Sequence, residues 1–363
     1  MTTTFPASPS PFRPGAALQL AETAGWNPAE MPRYGKQEQA ALLQLVPGEV
    51  ALAVTSPSTP VTVAGVRAGY SAALLAMLGA TWSRTIASVF PSSSPSETYP
   101  WLRSAPNPRK WEGERTFQEL RGDVVTIVND DYESTIEFKV PDFRRDKTQQ
   151  IAQRAQDLAT RVAFFPESLL TALLVANGNA YDGKAFFAVD HVVGQSGAIN
   201  NALVAADGLA GGANPTTDQM SANISRALSA MLGFRDDQGQ PLHASARQFA
   251  VMVPAPMYAA TVAAINSAFT SAAASNPLPE LSAVGYSFVP ILNPRLTATN
   301  QFYLFRVDGG IRSLLLQEEG VNPVELGPES EHAKKTNRVL FGHGWAGGVG
   351  YGRFEFAMRG TTS

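Results

Sequence analysis

Asp182, Lys184, Asp190 and His191 stand close together and are the residues of this sequence best suited to chemistry. Carboxylates beside a histidine can relay a proton, the core of general acid–base hydrolysis. A hydrolase using Asp182, Asp190 and His191 is therefore one reading. If the segment is extended, alternate residues share a face and Asp182 can pair with Lys184. No second carboxylate–histidine set is obvious elsewhere in the chain. The competing reading is a structural turn. Asp182-Gly183 supplies the positive-φ chemistry of a turn, and Phe186-Phe187 anchor the loop in a core. Reactive groups without converging partners rarely make a site, so the turn is the preferred reading.

The other constellations are weaker. Gly342-His343-Gly344-Trp345-Ala346-Gly347 fits the GxGxxG spacing. A dinucleotide loop needs a helix start next, yet Gly348-Val349-Gly350-Tyr351 leads into a strand pattern, which suits a glycine-rich strand where another backbone comes close. The 4 histidines (His191, His243, His332 and His343) have no zinc-ligand spacing, and there is no cysteine. Disulfides and thiolate chemistry are excluded, and neither a nucleophile elbow nor a phosphate-cradling loop is present. Asp130-Asp131 and Asp236-Asp237 read as short acidic turns. Arg103, Arg109, Lys110 and Arg115 cluster with Trp101 and Trp111. Such interleaving can stack bases but equally suits subunit interfaces. Glu112, Glu114 and Glu119 nearly neutralise the cluster, which favours a protein partner. No catalytic residue, cofactor or metal is expected.

Stepping outward, 363 residues with 44% hydrophobic content can bury a sizeable core. Charged residues make up only 16%, below the usual quarter, which leans toward a chain that buries surface against copies of itself. The net charge of −3 gives no overall drive toward nucleic acid. The start of the chain lacks a basic-then-apolar signal, and no run approaches the ~18 apolar residues of a membrane span. The Asn223-Ile224-Ser225 sequon is taken as chance.

Residues 1–60 read as an extended arm with one helical piece at 36–45. Residues 64–90 read as a helix with Val66, Tyr70, Ala73, Leu74 and Met77 on one face, and 91–96 as a break. Residues 99–140 read as a long two-stranded excursion, with strands at 116–120 and 124–128, its tip between Arg121 and Asp131, and Ile136, Phe138 and Val140 on one face. A helix is expected from Arg145 through Ile151, Ala155, Leu158, Val162 and Phe165, interrupted at Pro166 and stopped by Gly178. Further helices are expected at 218–232, capped by Thr216 or Thr217, and at 255–274. Strands are expected at 248–253, 287–292, 301–307 and across 338–359. The order is α+β without a βαβ rhythm or internal repeats.

Several of these stretches together resemble the Mu-like phage major head subunit family. They are Tyr99-Pro100-Trp101-Leu102, the run Pro108 to Arg115, Asn129 to Ile136, the long helix, and Tyr181-Asp182-Gly183 with Phe186, Phe187 and His191. Gly350-Tyr351-Gly352 followed by an aromatic also fits. The basic run Phe143 to Lys147 departs from the family's more acidic pattern. The resemblance implies the tailed-phage major capsid fold of the Hong Kong phage type. It implies an N-terminal arm and helix (1–98), an E-loop hairpin (99–140), a peripheral domain with a spine helix (141–253), an axial domain (254–327) and a C-terminal return to the peripheral domain (328–363).

The implied function is a major capsid protein that self-assembles, as hexamers and pentamers, into an icosahedral shell around double-stranded DNA. The implied partners are the chain itself, scaffold or protease, portal and decoration proteins, with no sequence-specific DNA binding and no membrane. Trp101, Arg103, Arg109, Trp111, Glu112 and Arg115 are the expected inter-subunit contacts. Asp182, Gly183, Phe186 and Phe187 are the expected structural turn. The rival readings are an encapsulin-like nanocompartment shell, a tail-tube virion protein, and the hydrolase above.

Overall fold

Val66, Tyr70 and Leu74 recur every fourth residue, which puts them on one side of a helix. In the computed structural model they are the buried stripe of α1 (Val63–Leu78). The structure describes residues 63–102, 122–146, 149–269, 271 and 275–363. The expected arm with its helical piece at 36–45, and the strand at 116–120, lie outside the described residues.

The first helix is shorter than the sequence pattern suggests. After α1 the chain makes a brief helix α2 (Ser83–Ile86), and Ala87–Pro91 is a strand, β1. Apolar content alone does not distinguish a buried helix from a buried strand there. The serine-rich break leads into β2 (Ser96–Leu102), which pairs antiparallel with β3 (Gly122–Val128). The join between these strands therefore falls within 103–121, outside the described residues, and not between Arg121 and Asp131. Only Asn129 separates β3 from β4 (Asp130–Lys139), so Asp130-Asp131 opens a strand and is not a turn.

After α3 (Val140–Arg145) the long helix starts at Gln150, not Arg145. The Asp146 carboxylate accepts from the Gln150 amide (3.1 Å) and the Ile151 amide (2.8 Å), so it caps amides that have no intrahelical partner. This helix, α4 (Gln150–Ala163), buries Ile151, Ala155, Leu158 and Ala159. Pro166 sits in the first turn of the next helix, α5 (Phe165–Ala176), where its missing N–H costs nothing. Residues Gln150–Ala176 together are long and apolar enough to cross a membrane by length and composition, contrary to the sequence reading. Here most of their apolar positions pack into the two cores described below.

The remaining elements are β5 (Ala202–Leu203), α6 (Thr217–Leu232), β6 (Gln248–Val253), α7 (Ala255–Asn266), α8 (Pro277–Ala283), β7 (Ser287–Leu292), β8 (Gln301–Arg306), β9 (Leu314–Leu326), α9 (Glu331–Thr336), β10 (Arg338–Tyr351) and β11 (Ala357–Thr361). Thr216 caps α6: its hydroxyl accepts from the Gln219 amide while the Gln219 side chain accepts from the Thr216 amide. The helix expected at 255–274 ends at Asn266.

Two larger sheets and the β2–β3 ribbon organise the chain. One sheet has the order β1-β9-β10-β4 and the other β5-β11-β8-β6-β7. α1 and α4 pack on Val339 and Phe341 of the first sheet in a smaller core. The larger core surrounds the second sheet and takes Leu170 and Leu174 of α5, Met220 and Ile224 of α6, and Phe249, Phe302, Phe305 and Phe354. In the first sheet the 342–347 glycine motif is strand throughout, within β10. A Cβ on Gly347 would stand 2.2 Å from the Gln317 carbonyl oxygen, and one on Gly348 2.4 Å from that of Val128. These glycines let β10 approach β9 and β3, which is the structural reading of the motif.

Candidate functional site

The loop leaving α5 is built around two buried rings. Asn177, not Gly178, takes the left-handed conformation that ends the helix, with φ 46°. Its side chain clamps Phe187, accepting from the Phe187 amide (2.7 Å) and donating to the Phe187 carbonyl (3.2 Å). The Phe186 amide donates to the Gly178 carbonyl at 2.8 Å. Both phenylalanines are buried, and Phe186 stacks on Tyr351 with ring centroids 4.7 Å apart. Between these anchors the chain turns tightly. Gly183 has φ 80° and donates to the Ala180 carbonyl (3.0 Å), and the Lys184 amide donates to Asp182 Oδ1 (3.1 Å). Asp182, Gly183, Phe186 and Phe187, the residues of the expected turn, all lie in this segment.

Its charged residues pair differently from the sequence expectation. Asp182 does not pair with Lys184. Asp182 Oδ2 lies 2.6 Å from His191 Nδ1, while Lys184 Nζ lies 2.8 Å from Asp190 Oδ2. The Lys184–Asp190 pair is solvent-facing, and its hydrogen bond lowers the Asp190 pKa. His191 is fully buried, face to face with Phe354 (centroids 3.8 Å, planes 12° apart), and its Nε2 is 3.3 Å from the Phe186 carbonyl oxygen. Both ring nitrogens of the buried His191 are thus occupied within the loop.

Asn201 was invisible as a site residue in the sequence, yet it is the hub of this loop. It accepts from the Ala188 amide (2.8 Å) and donates to the carbonyls of Phe186 (2.8 Å) and Phe354 (3.2 Å). Only its complete burial marks it, since a buried amide must find partners. Asn223 is buried in the same way, held to Ala210 through both side-chain atoms, so the sequon is a packing residue.

A second polar hub fixes the base of the β2–β3 ribbon. Asn129 Nδ2 donates to Ser92 Oγ (2.9 Å), the Ser94 carbonyl (2.8 Å) and Glu319 Oε2 (3.1 Å), and Asn129 Oδ1 accepts from Gln317 Nε2 (2.7 Å). Tyr99 Oη donates to Gln317 Oε1 at 2.8 Å, which ties β2 to β9. The ribbon therefore leaves the body from a hydrogen-bonded socket. Beyond it, the Trp101 backbone pairs with Asp123, whereas Arg103, Arg109, Trp111, Glu112 and Arg115 lie outside the described residues.

The family model for the Mu-like prophage major head subunit gpT matches residues 61–216, which span α1, the ribbon, α4, α5 and the Tyr181–His191 loop. The major capsid protein of Escherichia phage Mu is 32% identical over 126 residues, covering 33% of this chain and 41% of the Mu protein. The Mu-like prophage FluMu major head subunit of Haemophilus influenzae is 30% identical over 111 residues, covering 30% of this chain and 36% of that one. The chain thus spans about two fifths of the length of the curated relatives it matches. The mature capsid of bacteriophage PhiM1 shares the fold at 12% identity and a TM-score of 0.50, covering 78% of this chain and 87% of that chain. Residues 61–216 of the chain thus match the Mu-like prophage major head subunit family, and the chain as a whole shares the fold of the PhiM1 capsid protein.

Proposed function

We propose that this chain is a major head protein that self-assembles into the icosahedral shell enclosing phage double-stranded DNA. The observation that carries the reading is the family match over 61–216, because that segment holds both the ribbon socket and the buried 177–191 loop. The same match favours a phage head over an encapsulin-like compartment or a tail tube. Asp182 is bound to the buried His191 and Asp190 to Lys184, an arrangement that favours a structural loop over the hydrolase reading.

In this reading residues 1–98 are the arm and its helix, and the ribbon with 103–121 is the E-loop. Residues 141–253 carry the spine, 254–327 lean toward the capsomer axis, and 328–363 return. The sheets cut across those limits, since β9 joins the first sheet and β11 the second. Weak contacts repeated through closed rings of hexamers and pentamers would hold the shell. Trp101, Arg103, Arg109, Trp111, Glu112 and Arg115 are proposed as contacts to the neighbouring subunit. Scaffold or protease, portal and decoration proteins are the proposed further partners, and the mild net acidity suits a wall that does not grip DNA.

The test is a deletion of residues 104–120 closed by a short glycine–serine linker. It must stop short of Asp130, because β4 is an edge strand of the first sheet. The expected product is soluble, keeps its thermal transition and forms no shells by negative-stain microscopy. Normal shells from this variant would overturn the proposal.

A further inference from the structure

Several arginines in the described body have a carboxylate partner: Arg84 with Glu318, Arg295 with Glu167, Arg306 with Asp308, Arg338 with Glu137 and Arg353 with Glu355. Arg312 is half-buried without one but gives its guanidinium to the Arg84 carbonyl. Arg359, on β11, differs from all of these. Its side chain makes no hydrogen bond among the described residues, and its Nε is buried with no acceptor. The guanidinium lies over the Phe187 ring, 5.3 Å from its centroid, with Tyr303 opposite it on β8. Burial lowers the Arg359 pKa, the expected response of a cation taken from water without a counterion. The aromatic face offsets part of that cost, but it offers no acceptor for an N–H.

The segments packed around Arg359 carry exposed valines. Val189 is two residues past Phe187 and 58% exposed, and Val204 follows β5, the strand paired with β11. A half-buried arginine among exposed aliphatic side chains has the composition of an interface anchor before its partner arrives. Charge says what that partner must bring. The chain is net negative, and Asp131, Glu280 and Glu329 are exposed carboxylates with no cation partner among the described residues. We propose that Arg359, with the exposed Val189 and Val204 on the two segments that meet it, is a docking site for a carboxylate of a second copy of this chain. This rests on the reading of the chain as a shell subunit.

The test compares the full wild-type chain with Arg359→Met and Arg359→Lys. Assembly is followed by sedimentation velocity, and the melting temperature is measured on each unassembled protein. Arg359→Met is expected to raise the protein concentration needed for assembly by at least about tenfold, because a desolvated charge pair is lost. Its melting temperature is expected to hold or rise, since an uncompensated buried charge is gone. Arg359→Lys keeps the charge and is expected to fall between the two. Arg359→Met assembling at wild-type concentration would overturn the inference. So would an assembly defect matched by an equal loss of melting temperature, which would make Arg359 a packing residue. A wild-type chain that never assembles would remove the shell reading itself, an outcome separate from a failure at Arg359.

Discussion

Asp182 and His191 are bound side chain to side chain at 2.6 Å inside the loop that follows α5, with the His191 ring fully buried against Phe354. The pair holds the loop closed. Its carboxylate also receives the Lys184 amide, so one side chain fixes both the turn and its return. Asp182→Ala would leave His191 Nδ1 buried without an acceptor, at a cost of about 1–3 kcal/mol. Asp182→Asn restores an acceptor and should recover most of it. Urea unfolding of both variants checks this ordering; equal stability of Asp182→Ala and wild type would show that the pair contributes nothing.

At the ribbon base, Asn129 shares its amide protons among Ser92, Ser94 and Glu319 and accepts from Gln317, a fully buried side chain. Asn129→Ala strands the Gln317 amide, a loss on the order of 1–3 kcal/mol. The penalty should stay local, because β2 and β3 pair only with each other in their sheet. Amide hydrogen exchange should quicken at 96–102 and 122–128 and stay unchanged at Gln248–Val253, an interior strand of the second sheet. Uniform acceleration across both sheets would mean that Asn129 supports the whole body and not the ribbon.

The sequence carried the periodic parts of the fold well. Ile151, Ala155 and Leu158 repeat at helical spacing and are buried on one side of α4, and the uninterrupted apolar run 249–253 is buried in an interior strand. What it hid depends on contacts distant in the chain. Residues 87–91 become a strand because β9, far away in sequence, is there to pair with them in parallel. The ribbon tip was misplaced because β3 and β4 are almost continuous, yet they pair with different partners, β2 and β10. In the candidate site, the glycine and the two phenylalanines were legible because a turn and its anchors are local. The Asp182–His191 and Lys184–Asp190 pairing was not, since the fold of the loop selects which carboxylate meets which cation.

Two buried histidines make acid the natural stress for this body. His343, on β10, sits 2.8 Å from Tyr70 Oη of α1, its Nε2 has no partner, and burial pushes its pKa from 6.5 down to about 4. His243 is also pushed to about 4, first by burial and then by the nearby Arg306 cation. In the unfolded chain each takes up its proton near the ordinary value of 6.5, whereas in the folded chain it does so only near 4. Between those values the unfolded state binds more protons, so stability rises with pH across the window. The contribution is fully present above 6.5 and is lost as pH falls toward 4. The slope is at most about 1.4 kcal/mol per pH unit for each proton. Urea midpoints measured from pH 7.5 downward should therefore decline, and His343→Gln, which cannot titrate, should decline less steeply. An unchanged slope in His343→Gln would mean that the α1–β10 contact is not where the acid sensitivity resides.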